Sequence, residues 1–175
     1  DLLAGGTGEL GAYFNYYSQT PTQCISIDET NLGSSTIEEA MYNVIKAGKI
    51  PVRVCVFYPP SGFTYKTVEC FELGTIFVQN KKEVIARWPT AYFSGELIAN
   101  FTTGVSEKGW IFEIEEKSSG KSVLYIDTVG DLCPGGGWHN RVKFVDIRGF
   151  CYDTCNPPEA GCSYLDDFEV IFYCI

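Results

Sequence analysis

Along most of this chain the hydrophobic positions recur at every second residue, the spacing that puts alternate side chains on one face of a β-strand. The stretch PVRVCVFY, residues 51–58, places Val52, Val54, Val56 and Tyr58 together. Residues 63–71 alternate in the same way, with Phe63, Tyr65, Thr67, Glu69 and Phe71 set against Thr64, Lys66, Val68 and Cys70. Residues 75–79 and 83–88 flank Asn80-Lys81-Lys82 and predict a hairpin. In residues 96–101, Leu97, Ala99 and Phe101 share the inward face and Asn100 points outward. Residues 109–116 and 121–127 make the clearest hairpin, joined by Lys117-Ser118-Ser119-Gly120. Trp110, Phe112 and Ile114 lie on one of its faces, Glu113 and Glu115 on the other. Residues 23–27, 141–147 and 168–175 complete the strands, the last with Phe168, Val170, Phe172 and Cys174 aligned.

The helical period appears once. Ile37, Ala40, Met41, Val44 and Ile45 form one apolar stripe, which predicts a helix over residues 35–48. Ser35 as N-cap with Glu38 would form a capping box, Gly48 suits the C′ position, and Pro51 stops the helix. Upstream, Gly5, Gly6, Gly8 and Gly11 disfavour a helix by about 1 kcal/mol each. Residues 1–23 therefore read as an extended arm, either an edge strand or a strand donated to a neighbouring copy. Nine or ten short strands with one helix predict a mainly β fold, an antiparallel β-sandwich with jelly-roll or barrel as variants. No linker splits the chain, so residues 1–175 are expected to form one domain.

Cysteine usage adds a compartment. Eight cysteines with one histidine, spaced unlike a zinc site, predict four disulfides and an oxidising, extracellular setting. Five of them, Cys133, Cys151, Cys155, Cys162 and Cys174, lie late in the chain; Cys24, Cys55 and Cys70 lie early. Because five is odd, one or three bridges must tie the late segment to the front. Eight cysteines allow 105 pairings, and spacing does not choose among them. A start without Met agrees with a processed, secreted chain, and Asn100-Phe101-Thr102 is a glycosylation sequon.

A net charge of −9, with 13 basic against 22 acidic residues, offers no dense cationic patch. Nucleic acid and anionic membrane are therefore not expected partners, and no run of eighteen apolar residues inserts in a bilayer. Cations, basic proteins and neutral polymers such as glycans remain.

Chemical motifs are sparse. A nucleophile–histidine site would need His139, the sole histidine, yet no G-x-S-x-G elbow accompanies it. Gly135-Gly136-Gly137 is not followed by the Lys-Ser/Thr of a phosphate loop. Glu113 and Glu115 sit on one strand face rather than across a cleft. The segment from Cys133 to Arg141 is more suggestive. Trp138 beside His139, Asn140 and Arg141 combines an aromatic platform with hydrogen-bonding groups, as sugar recognition requires. Asp127, Asp131, Asp166 and Asp167 are candidate calcium ligands, although no EF-hand loop is present and no other cofactor is expected.

These observations favour a secreted, non-catalytic structural or adhesive protein acting through surface contacts with copies of itself or with extracellular glycans and proteins. Self-assembly into oligomers or filaments would use the N-terminal arm. The alternative is a carbohydrate-binding module or lectin using the 133–141 segment, and an extracellular hydrolase stands last.

Overall fold

The structure, a computed structural model, describes residues 20–59, 66–73, 75–79, 83–89, 96–103 and 109–175. At residues 45, 75–79, 83–89, 96 and 103 it describes the backbone alone. The expected arm up to residue 19, the residues of the 63–71 strand before Lys66 and the 80–82 turn lie outside the described residues.

Among the described residues twelve strands form two sheets. The smaller has the order β1 (Thr22–Asp28), β12 (Glu169–Cys174), β2 (Pro51–Tyr58), β3 (Thr67–Glu72), all antiparallel. The larger runs as a meander through β4 (Thr75–Gln79), β5 (Glu83–Pro89), β6 (Glu96–Thr103), β7 (Trp110–Glu116), β8 (Ser122–Leu132) and β9 (Trp138–Val145). It continues into β10 (Cys151–Asp153) and β11 (Cys162–Tyr164), which pair in parallel.

Ring contacts show that the two sheets face each other. Phe172 of β12 meets Phe112 of β7 edge-on at 5.1 Å between centroids, and Trp110 at 5.7 Å. Tyr58 of β2 meets Phe144 of β9 at 5.0 Å and Tyr152 of β10 at 5.5 Å. All six rings are buried, as are Val52, Val54, Val56, Leu97, Ala99, Phe101 and Ile114. Each of the larger side chains contributes about 1.5–3 kcal/mol on burial, so the alternating stripes supply a main part of the force that closes the sandwich.

The barrel and jelly-roll variants do not hold. The described sheets stay open, with β11 and β4 at opposite edges, and the large sheet follows chain order instead of Greek-key order. The strand count is also higher than expected. Strands β10 and β11 have three residues each, too few to display a period.

The helix, α1, spans Ser35–Lys46 and packs Met41, Ile37, Ala40 and Val44 against the core; the side chain of Ile45 lies outside the described set. Its cap is Ser34 rather than Ser35. Thr36 N–H donates to Ser34 Oγ at 3.2 Å, and Ile37 N–H donates to the Ser34 carbonyl. The frame shifts by one residue, leaving Glu38 beyond the reach of a capping box. At the other end Lys49 N–H donates to the Val44 carbonyl, closing a Schellman turn around Gly48.

Every cysteine is bridged. Cys24–Cys174 is the single bond from the late segment to the front, joining neighbouring strands β1 and β12. Cys55–Cys70 links register partners on β2 and β3. Cys133–Cys155 and Cys151–Cys162 stay within the late segment, the latter across the parallel β10–β11 pair. Four intramolecular disulfides fit an oxidising, extracellular-type environment. Among the described residues no helix is long and apolar enough to cross a membrane.

Candidate functional site

At one end of the sandwich the inner face of the large sheet runs on past its cover. Along β9 the inward parity is Phe144, Val142, Asn140, Trp138. The first two are fully buried, Asn140 is half-buried and Trp138 is 70% exposed. The register partner of Trp138 on β8 is Leu132, itself 49% exposed. The expected loop from Cys133 to Arg141 is thus a tight turn followed by strand. Residues 138–141 belong to β9, and the turn is closed by Gly136 N–H donating to the Cys133 carbonyl at 3.0 Å. The period was hidden in sequence because Trp138, His139, Asn140 and Arg141 contain no apolar–polar alternation.

A bulge in β8 builds the adjoining wall. Asp127 pairs with Arg141 and Asp131 with His139, so four steps on β8 face two on β9. The extra residues are held from both sides. The Asp127 carboxylate accepts the Val129 N–H at 2.7 Å and the Gly130 N–H at 2.9 Å, while Gly130 adopts φ 117°, which a side chain would resist. Thr128, buried, donates its hydroxyl to the Trp110 carbonyl at 2.8 Å and accepts the Trp110 N–H at 2.6 Å. A second close approach lies in the turn, where a Cβ on Gly137 would come within 2.6 Å of His139 Nε2.

The opposite wall is the turn between β1 and α1. Asp28 accepts hydrogen bonds from the hydroxyl and N–H of Thr30 and from the Asn31 N–H; these hold its carboxyl below the usual range. Asn140 Nδ2 ties this wall to β9 by donating to the Leu32 carbonyl at 3.3 Å. The Phe168 N–H donates to Glu29 Oε2 at 3.3 Å.

Between the walls lies a groove of two contiguous depressions, about 520 and 220 Å³ in volume. Glu29, Leu32, His139 and Asn140 line both. Trp138 and Val129 stand at the larger end, and Tyr164, Thr154 and Asp166 at the smaller. Among these described lining residues there is no Lys or Arg.

Arg141 points to the other face of the sheet. It is 7% exposed and clasps buried Asp153 with two hydrogen bonds, Nε to Oδ1 at 3.0 Å and Nη2 to Oδ2 at 2.8 Å. Its Nη1 donates to Asp131 at 3.0 Å. Burial pushes the Asp153 carboxyl up, but Arg141 and the backbone N–H groups of Cys155 and Glu159 outweigh that and leave it below its usual range. Hydrogen bonds and charge from Asp153 first, then Asp131, raise the Arg141 guanidinium further above its already high value against the effect of burial. Lys143 pairs with Glu159 at the margin of this network. Tyr125 donates its hydroxyl to Asp127 at 2.8 Å; burial first, then that carboxylate, pushes the phenol well up.

The candidate residues are therefore divided. Trp138, His139 and Asn140 meet at the groove; Arg141 is committed to holding the strands. Of the four candidate calcium ligands, Asp127 caps the bulge, Asp131 is paired with Arg141, Asp167 is paired with Lys66 at 2.8 Å, and Asp166 lines the groove. Among the described residues no three His, Cys, Asp or Glu side chains gather as a metal site. Asn100 is exposed on β6, with the Thr102 hydroxyl 3.1 Å from its Oδ1. Glu113 accepts the Ser122 hydroxyl at 2.5 Å, while burial, helped by Glu113, raises the Glu115 carboxyl. With all eight cysteines in disulfides, His139 has no thiol to activate.

Glu29, Leu32, Thr154 and Tyr164 escaped sequence reasoning as site residues. Glu29 and Tyr164 lie far from residues 138–140 in the chain, and only the docking of the β1–α1 turn and of β11 brings them there. No family model, no curated protein and no solved structure matches the chain.

Proposed function

We propose that this is a secreted, non-catalytic adhesive domain that engages its partner at the cystine-braced end of the sandwich. What carries the reading is the inner face of the large sheet, which continues beyond the core to exposed Trp138 and Leu132 beside a groove. Exposed Trp138 and Leu132 are register neighbours, and exposed Val129 lines the same groove, so the apolar surface there forms a contiguous patch of the kind that marks an interaction site. The walls are rigid before any partner arrives, held by the capped bulge, two disulfides and the Asn140–Leu32 tie. Preformed geometry lowers the ordering cost of binding. Four disulfides support an oxidising setting for such a domain, and the sequon residue Asn100 is exposed.

The test is binding of the soluble, tagged protein to fixed cell surfaces or extracellular matrix. Saturable binding that Trp138→Ala removes supports the reading. Absence of saturable binding, or binding indifferent to Trp138→Ala, overturns it.

A further inference from the structure

We infer that the groove docks a protein segment carrying an arginine beside an apolar residue, its guanidinium laid on the Trp138 indole and paired with the Glu29 carboxylate. This rests on the preceding reading and names the partner that the adhesive surface takes. The first support is placement. Trp138 and Asn140 share the inward face of β9, and Leu132, the register partner of Trp138, lies on the same face of β8. Trp138 is 70% exposed, and Leu132 and Val129 are 49% exposed each. Val129 and Trp138 line the larger depression together with Glu29, which stands on the opposite wall. An aromatic face, an apolar flank and a carboxylate thus border one space of about 520 Å³, enough for a side chain and its neighbour.

The second support is how the chain covers its other open rings. Arg148 lies over the Phe150 ring at 4.6 Å and pairs with Asp146 Oδ2 at 2.6 Å. Arg53 lies over the Tyr173 ring at 5.4 Å and pairs with Glu72. In both, a planar cation rests on a π face while a carboxylate holds its edge. Trp138 is more exposed than either ring and has a carboxylate across the groove. Yet among the described residues no Arg or Lys lies over it. Two members of the set are in place, the indole is the best π face for a cation, and the space for the guanidinium is open.

The third support is charge complementarity. Glu29 Oε2 accepts the Phe168 N–H at 3.3 Å, which orients the carboxylate. Lys66 feels the Glu29 charge but is bonded to Asp167 at 2.8 Å. Asp28 beside Glu29, and Asp166 in the smaller depression, add negative charge to a chain that carries −9 overall. Of the donors near the ring, Asn140 spends an amide N–H on the Leu32 carbonyl at 3.3 Å. The His139 ring is turned against Gly137, where a Cβ would meet its Nε2 at 2.6 Å. A basic segment is drawn in at range by the net charge and held at contact by Glu29.

The experiment is an NMR titration of the isotopically labelled full chain with a capped Gly-Leu-Arg-Gly peptide, beside relatives in which lysine, citrulline or glutamate replaces the arginine. The indole N–H resonance that disappears in Trp138→Ala should shift when the arginine peptide is added. Affinity should fall several-fold with lysine, and about tenfold with citrulline, which keeps the shape of arginine and loses its charge. The glutamate peptide should not bind. Glu29→Gln, which keeps an acceptor for the Phe168 N–H, should weaken the arginine peptide about tenfold and leave the citrulline peptide unchanged. Equal affinity for the arginine and citrulline peptides overturns the ion pair, and binding of the glutamate peptide at the same resonance overturns the charge preference. If surface binding depends on Trp138 but the arginine peptide neither binds nor competes, the arginine partner is wrong and the adhesive reading stands. If Trp138-dependent surface binding is itself absent, both fall.

Discussion

The centre of the sandwich and its cystine-braced margin are held together by different physics. At the centre, Phe101, Trp110, Phe112 and Phe172 pack as rings between two sheets. At the margin, β10 and β11 are too short to bury much, and order comes from two disulfides, a buried Arg141–Asp153 pair and carboxylates that cap backbone N–H groups. Area-driven packing tolerates a change of residue if volume is kept. Directed polar contacts do not, because each lost partner leaves a buried group unsatisfied. The margin is therefore where the chain can hold an irregular groove rigid without extending the core.

Four measurements would break or sharpen this contrast. The largest effect is expected from Cys24→Ser with Cys174→Ser. That bridge closes a sequence separation of 150 residues, and the chain-entropy account gives about 5 kcal/mol for its loss. The marginal Cys151–Cys162 bridge, separation 11, should cost about 3 kcal/mol. Urea unfolding of the two double variants reads the difference; a larger loss at the margin would reverse it.

Next comes Arg141→Leu, expected to cost about 3–5 kcal/mol because it strands the buried Asp153 carboxylate. Arg141→Met combined with Asp153→Leu should recover only part of that loss, since it removes the buried charge but leaves the Cys155 and Glu159 N–H groups without their acceptor. If the double variant is as unstable as the single one, the pair is not what organises the margin.

Third is acid. Asp153 ionises more readily folded than unfolded, so its contribution is complete above the ordinary carboxylate range and is lost as pH falls through its folded value. Asp28 acts in the same direction. The urea midpoint should drop once pH falls below about 4, and Asp153→Asn should flatten that slope. A midpoint that rises on acidification would contradict the assignment.

Smallest is Trp138→Ala, expected to change unfolding free energy by no more than about 0.5 kcal/mol, as for exposed positions outside special features. A loss of several kcal/mol would make Trp138 part of the core and remove the reason for reading it as a contact residue.

Much of the centre was legible from alternation. Val52, Val54, Val56 and Tyr58 on β2, Leu97, Ala99 and Phe101 on β6, and Trp110, Phe112 and Ile114 on β7 are buried as their spacing requires. Parity of the cysteines required a bond from the late segment to the front, and Cys24–Cys174 is that bond. The margin was far less legible. Trp138 was visible as an aromatic beside polar groups, but Arg141, three residues on, went to the opposite face because β9 begins earlier than its polar residues suggest. Asp127 and Asp131 looked like ligands for a cation; the bulge and Arg141 take them instead.

By itself, then, the sequence determined the β class, the helix that follows Ser34, the inward stripes and the oxidising setting that bridged cysteines imply. Each follows from local period or from composition, which need no knowledge of neighbours. Tertiary structure alone decided the strand order, the pairing of the remaining cysteines and the meeting of Glu29, Trp138 and Asn140 around one groove. Those depend on which distant segments dock, and docking is set by shape and by hydrogen-bond satisfaction between residues as far apart as Leu32 and Asn140. No spacing along the chain encodes that distance.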